Sequence, residues 1–345
     1  MNSLKPDYYN PHFSHIYIEK EVRNHPVTKR ILATFPKASI IEIDHYKDVF
    51  CRSHQNYRLQ KQTPSLILAN KHQNLVYEGA PVCQNFGNQH FYYVSSVMNC
   101  IYDCEYCYLQ GMYPSANIVI FVNLEEIFEE VEKLLQRHSV YLCISYDTDL
   151  LALEHLLGYT KEWTSFALKH KELTIEVRTK SANLSVLDQI EPSAGIILAW
   201  TLSPHKIIES YEHHTPSLEQ RITCIQKALQ KGFKVRLCFD PMLYTKDWKK
   251  EYEDMFRQVF DEIKAEQLQD VSLGVFRVPQ DYMKKMRKQS IASAVIQFPY
   301  DNDNGVYHYG DKLTKEMISF ALELLLEKIP ADKLYIWEKT QQEEK

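Results

Sequence analysis

Glycine is scarce. The 345-residue chain carries 9 glycines, where an average usage of ~7% would give about 24. That shortage argues against a glycine-rich β architecture and against loops that cradle phosphate on bare backbone. Neither G-x-G-x-x-G nor G-x-x-x-x-G-K-[ST] occurs, so dinucleotide-binding and P-loop nucleotide enzymes are poor fits. Long apolar runs are missing too. The longest, Gly195 to Leu202, falls far short of the ~20 residues that span a bilayer. The opening MNSLKPDYYNPHF lacks the charged-then-apolar plan of a secretory signal, and a cytoplasmic protein with no membrane contact is expected. Positive charge is not in excess either, the formal net charge being −5. Binding of nucleic acid through bulk charge is thereby excluded, though a local basic groove is not.

What is present is a 45% hydrophobic, 25% charged composition, that of a folded soluble protein. There are 8 cysteines and 23 tyrosines. In a reducing compartment, cysteines at this level point to metal or redox chemistry rather than a disulfide framework. Residues 1–88 read as a mixed α/β extension, with HIYIEKEV and ASIIEID alternating as strands do and Arg52 to Lys61 reading as helix or loop. From residue 89 the pattern becomes regular. FYYVSSVM, SVYLCIS, ELTIEVRT, AGIILAWTLS, KVRLCFDPM and VSLGVFRV read as six strands, most separated by amphipathic helices. This alternation implies a mostly parallel sheet with helices packed outside, closing as an open (β/α)6 barrel over residues 89–280. Residues 281–345 form a carboxy-terminal hairpin–helix region ending in the polar tail EKTQQEEK. Reactive groups in such sheets collect at the carboxy-terminal ends of the strands.

The strongest signal is NCIYDCEYCYLQ, in which Cys100, Cys104 and Cys107 are spaced C-x3-C-x2-C directly after a strand. Three thiolates on one short loop can hold three irons of a [4Fe–4S] cluster and leave the fourth iron open. An open iron can chelate S-adenosylmethionine, and one-electron reduction then releases a 5′-deoxyadenosyl radical. Zinc on three cysteines and His90 is the competing metal reading; a thioredoxin-like Cys104-x-x-Cys107 leaves Cys100 unexplained. Cys51, Cys83, Cys224 and Cys238 show no ligand spacing and read as structural.

With this loop, the chain resembles the radical S-adenosylmethionine superfamily. Tyr106 and Tyr108 flanking Cys107, the NLEEIFEEVEKLL helix, TDLLALEHL, RTK, TPSLEQRI and KGFKVRLCFDPML resemble spore photoproduct lyases. The resemblance implies repair of a methylene-bridged thymine photoproduct in DNA. The adenosyl radical removes a hydrogen, the bridge breaks, and a cysteine returns a hydrogen with nearby tyrosines next in line. It implies roles for Tyr106 and Tyr108 in that relay. It also implies cofactor contacts by Lys180, Thr201 and Asp149, with Ser203 as a neighbouring polar group, and a one-electron reductant such as flavodoxin or ferredoxin. The family's donor cysteine heads a stretch that here reads YLCISYDTDLLALEHL. Aligned without gaps, Tyr146 takes the donor position; a three-residue shift would bring Cys143 there, although three residues on a strand point to opposite faces. Asp149 serves equally as a helix cap.

DNA contact is expected from Arg277, Lys284, Lys285, Arg287 and Lys288. A hairpin turning at Asn304-Gly305, with Tyr300, Tyr307 and Tyr309, is expected to stack on bases. A radical enzyme of the same lineage acting on another substrate stays open on sequence alone. So does a non-catalytic nucleic-acid- or metal-binding protein on the same scaffold.

Overall fold

The computed structural model describes residues 12–79, 83–289 and 292–337; the expected polar tail, 338–345, lies outside them. Eight strands form the main sheet: Tyr77–Glu78 (β1), Phe91–Tyr93 (β2), Val140–Cys143 (β3), Leu173–Thr179 (β4), Ile196–Thr201 (β5), Lys234–Met242 (β6), Asp270–Val275 (β7) and Leu334–Ile336 (β8). Their spatial order is their order in the chain, and every pair is parallel except β1 with β2. The six expected strands are β2 to β7, and the two short ones extend the edges. β5, IILAWT, is buried along its whole length, as a continuous apolar run must be when helices cover the outer face.

The sheet is strongly curled. Tyr141 on β3 and Arg236 on β6 would stand about 14 Å apart on a flat sheet, yet the Tyr141 hydroxyl lies 2.6 Å from Arg236 Nη1. Arg236 also pairs with Glu176 on β4 and Asp270 on β7, and its guanidinium lies 3.3 Å from the centre of the Phe86 ring. These side chains fill the amino-terminal part of the half-barrel. Buried charges persist because each is paired and hydrogen-bonded.

A second sheet places its strands in the order Ser39–Ile43, His15–Glu19, Leu66–Ala69, Ile118–Phe121, Val97–Met98, all parallel but the last pair. FYYVSSVM, expected as one strand, is therefore divided: Phe91–Tyr93 joins the main sheet and Val97–Met98 the small one. The chain crosses from one sheet to the other immediately before the cysteine loop, which puts that loop at the seam. Asn99 makes the turn with φ of 72°, a left-handed conformation that asparagine tolerates. Its buried amide donates to the carbonyls of Ser115 and Asn117, both at 2.7 Å.

The helix Leu218–Gln230 opens with a capping box between Ser217 and Gln220. The chain leaves it through Gly232, at φ 87°, as expected of a C-cap. The expected hairpin pairs Asp301–Asp303 with Val306–His308. Asn304 and Gly305 both have positive φ, 49° and 79°, as a type I′ turn requires. The helix Gly310–Leu326 follows it. Among the described residues, no helix is long and apolar enough to cross a membrane.

Candidate active site at the seam of the sheets

Cys100, Cys104 and Cys107 line one small pocket with Tyr57, Lys61 and Gln110. The loop is pinned on both sides. Cys104 pairs in antiparallel register with Glu212, the Glu105 amide donates to Tyr211 O at 2.8 Å, and Gln110 Nε2 donates to Cys104 O at 2.7 Å. From the amino-terminal segment, Lys61 Nζ donates to Cys100 O at 2.5 Å. Burial pushes all three thiols up, Cys100 to about 12. Lys61 opposes this at Cys100 and Cys107, and Lys180 at Cys104 and Cys107. Two ammonium groups thus favour the thiolate form that a metal needs.

The spread of the thiols bears on which metal fits. Two sulfurs on one zinc are at most ~4.6 Å apart, twice the Zn–S distance of ~2.3 Å. Among the described residues, Asp303, His308 and Asp311 are the one set of three metal-type ligands lying within 4.8 Å of one another. The three cysteines are not such a set; what fits them to hold the irons of a cluster is their shared loop, their common pocket and the two ammonium groups that face them. His90, the fourth ligand on the zinc reading, precedes β2 and stacks on His138 at 3.9 Å.

The carboxy-terminal ends of β4 and β5 bring Lys180, Thr201 and Ser203 beside this loop. Lys180 Nζ lies 5.5 Å from the Tyr106 ring centre and 3.9 Å from Glu212 Oε1. Glu212 and Arg221, neither of which the sequence singled out, organise the group. Glu212 accepts from the Tyr106 hydroxyl, from Ser203 Oγ at 2.8 Å and from Arg221 Nη2 at 2.5 Å. Arg221 also donates to Thr201 O at 3.0 Å. Burial opposes ionisation of Glu212, but Arg221 and Lys180 outweigh it and bring its pKa down to about 2. Arg221 lies inside TPSLEQRI, so a signal existed; Glu212 had none. Asp149 is a helix cap: it accepts from the Ala152 amide at 3.2 Å, from Thr179 Oγ1 at 2.8 Å and from the Lys180 amide at 2.7 Å. It therefore fixes the backbone from which Lys180 projects.

At the end of β3, Cys143 is 5% exposed and in register with Tyr93 and Glu176. The strand stops there. Tyr146 stacks on Tyr93 at 4.1 Å, and its backbone carbonyl accepts from the Tyr108 hydroxyl at 2.8 Å. The Tyr146 hydroxyl lies 3.2 Å from Cys83 Sγ. Cys83, read from sequence as structural, belongs to this site: its 63-residue separation from Tyr146 left no local pattern to detect. Among the other cysteines, Cys51 is exposed, whereas Cys224 and Cys238 are buried.

The basic run is partly spent inside the protein. Arg277 pairs with Asp240 at 3.0 Å and stacks on Trp337 at 3.9 Å. Arg287 donates to Ile296 O and Phe298 O at 3.2 and 2.9 Å. Lys284, Lys285 and Lys288 stay exposed. Tyr300 and Tyr309, expected to stack on bases, are buried in an aromatic cluster with Phe276 and Phe298. Tyr307 is half-buried, with the Arg287 guanidinium 5.0 Å from its ring centre.

The fold is thus a curled, mostly parallel α/β sheet with a three-cysteine loop after its leading parallel strand. A sequence model of the spore photoproduct lyase family matches residues 10–300, and the chain belongs to that family. Spore photoproduct lyase of Clostridium acetobutylicum is 26% identical over 184 residues, 52% of this chain and 54% of that protein; the aligned stretch spans about half its length. The Bacillus subtilis spore photoproduct lyase is 22% identical over 205 residues, 58% of this chain and 59% of that protein. A solved spore photoproduct lyase complexed with dinucleoside spore photoproduct superimposes with a TM-score of 0.80 at 18% identity, covering 95% of this chain and 99% of that one. A mutant with bound AdoMet and dinucleoside spore photoproduct gives 0.79 at 19% identity, covering 97% and 99%.

Proposed function

We propose that this protein is a carbon–carbon lyase that repairs the thymine spore photoproduct in DNA. The observation that carries the reading is the meeting of three cysteine thiols, Lys61 and Lys180 at the seam of a sheet whose family is that of the lyases. Cys100, Cys104 and Cys107 would hold the [4Fe–4S] cluster, and Lys180 with Thr201 would face S-adenosylmethionine. When bound and reduced by a one-electron donor such as flavodoxin or ferredoxin, this pair supplies a 5′-deoxyadenosyl radical.

The chain's own residues do the rest. Lys180 offers a cation for the cofactor carboxylate, and Asp149 and Glu212 hold its backbone and ammonium in place. The buried Tyr106 is fixed by its bond to Glu212, and Tyr108 by its bond to the Tyr146 carbonyl. Hydrogen returns to the product from the end of β3, the region of Cys143 and Tyr146. Lys284, Lys285 and Lys288 are the exposed cations that would meet DNA phosphates, Lys284 being paired with the exposed Asp281 at 3.5 Å.

Anaerobic reconstitution should load about four irons per chain, and the triple change of Cys100, Cys104 and Cys107 to Ala should abolish loading. With reductant, S-adenosylmethionine and the dinucleotide photoproduct, thymidylyl-thymidine should form. Cofactor cleavage without repair would assign the protein to another substrate, and zinc in place of iron would sink the radical reading.

A further inference from the structure

We propose that hydrogen return in this protein is carried out by a thiol–phenol pair, Cys83 and Tyr146, with Tyr146 inserted as a relay between the thiol and Tyr108. The inference rests on the repair reading above and names the residues that would complete it.

Three observations converge. Among the described residues, Cys83 Sγ meets the Tyr146 hydroxyl at 3.2 Å, close enough for one hydrogen to pass between them. Tyr146 is in turn next to Tyr108, their ring centres 6.2 Å apart and held there by the bond from the Tyr108 hydroxyl to the Tyr146 carbonyl. Cys143 offers a substrate almost no surface, being 5% exposed, whereas Cys83 is half-buried.

Each step moves one hydrogen atom. The product radical takes hydrogen from Cys83, forming a C–H bond, breaking an S–H bond and leaving a thiyl. The thiyl takes hydrogen from the Tyr146 hydroxyl, restoring the thiol and leaving a phenoxyl. Tyr146 recovers its hydrogen from Tyr108, and Tyr108 from the methyl group of the 5′-deoxyadenosine formed at the start. No outside oxidant or reductant enters. A phenol suits the middle position because its O–H bond is similar in strength to a thiol S–H. Tyr93, stacked on Tyr146 at 4.1 Å, holds the ring whether or not it carries a hydroxyl.

The test compares Cys83→Ala, Tyr146→Phe and Cys143→Ala with the unaltered protein. Loss of Cys83 should divert product to side adducts. Tyr146→Phe should still release thymidylyl-thymidine, but 5′-deoxyadenosine formed per repair should rise several-fold, to about one, since the radical can no longer return. A second reading needs no cofactor: in cluster-free protein, alkylation of Cys83 by iodoacetamide, followed by mass spectrometry, should be several-fold faster in Tyr146→Phe, where the thiol has lost its partner. Diversion by Cys143→Ala and not by Cys83→Ala, unchanged cofactor consumption in Tyr146→Phe, or unchanged alkylation would each overturn the pair. Failure of the unaltered, iron-loaded protein to repair at all would instead overturn the lyase reading, and the two failures are separate.

Discussion

Replacing Glu212 by Gln removes one charge and keeps the shape of the side chain. Arg221 and Glu212 are both fully buried, so the substitution leaves a guanidinium without its counter-ion; breaking such a pair costs roughly 3–5 kcal/mol. The titration of Glu212 gives an independent figure. Its pKa falls from 4.5 to about 2 on folding, and at ~1.36 kcal/mol per pH unit this is about 3 kcal/mol at neutral pH. Because the folded value is depressed, the contribution is complete above pH ~4.5 and is lost as the pH falls towards 2. With ~2.1 cal/mol/K per residue for unfolding entropy, 3 kcal/mol lowers Tm by about 4 °C in a chain of this length. Thermal unfolding followed by circular dichroism from pH 7 down to pH 3 measures both effects. Glu212→Gln should melt lower at pH 7, and the gap to the unaltered protein should close as the pH drops. The doubly altered Glu212→Gln, Arg221→Met protein should lose less than the two single losses combined. A Glu212→Gln protein that melts within 1 °C of the original at pH 7, with a parallel acid profile, would refute the claim that this charge organises Tyr106 and Lys180.

Other outcomes are expected elsewhere. Gly111 has no room for a side chain, because a Cβ there would stand 2.5 Å from the Tyr282 backbone. Gly111→Leu should cost at least ~2 kcal/mol in denaturant unfolding and reduce iron loading, since this turn follows Cys107 directly. Lys71 is buried against Phe121 and Tyr77, and burial lowers its pKa to about 8 against the pull of Asp147. Between pH 8 and 10.5 the unfolded chain holds the extra proton, so stability rises with pH across that window. Lys71→Met should therefore gain about 2 kcal/mol at pH 7, an advantage that shrinks towards pH 10.5 in thermal scans. Tyr300 spends its hydroxyl on Val295 O at 2.9 Å. Tyr300→Phe should lose ~1 kcal/mol of stability and leave duplex DNA affinity in a filter assay unchanged.

Patterns that repeat within a few residues were legible from the sequence by itself. The alternation of strand and helix, the three-cysteine spacing, Gly232 as a helix stop and Asn304-Gly305 as a turn are all local, because backbone geometry and side-chain period are set by near neighbours. Side-chain direction failed where a period was carried past the end of its element: β3 stops at Cys143, and Tyr146 turns back towards Cys83. Net charge along a run could be counted, but not that Arg277 and Arg287 bond inward. The partners of Tyr106, Lys180 and Tyr146 lie on other strands and loops, Glu212 being 106 residues from Tyr106. The order of strands in the sheet and the depth of its curl decide those meetings, and neither is written in local spacing. The candidate metal ligands were thus legible in one short loop, while the contacts on which the proposed hydrogen route rests were decided by the tertiary fold, since a curled sheet brings such distant side chains within bonding distance.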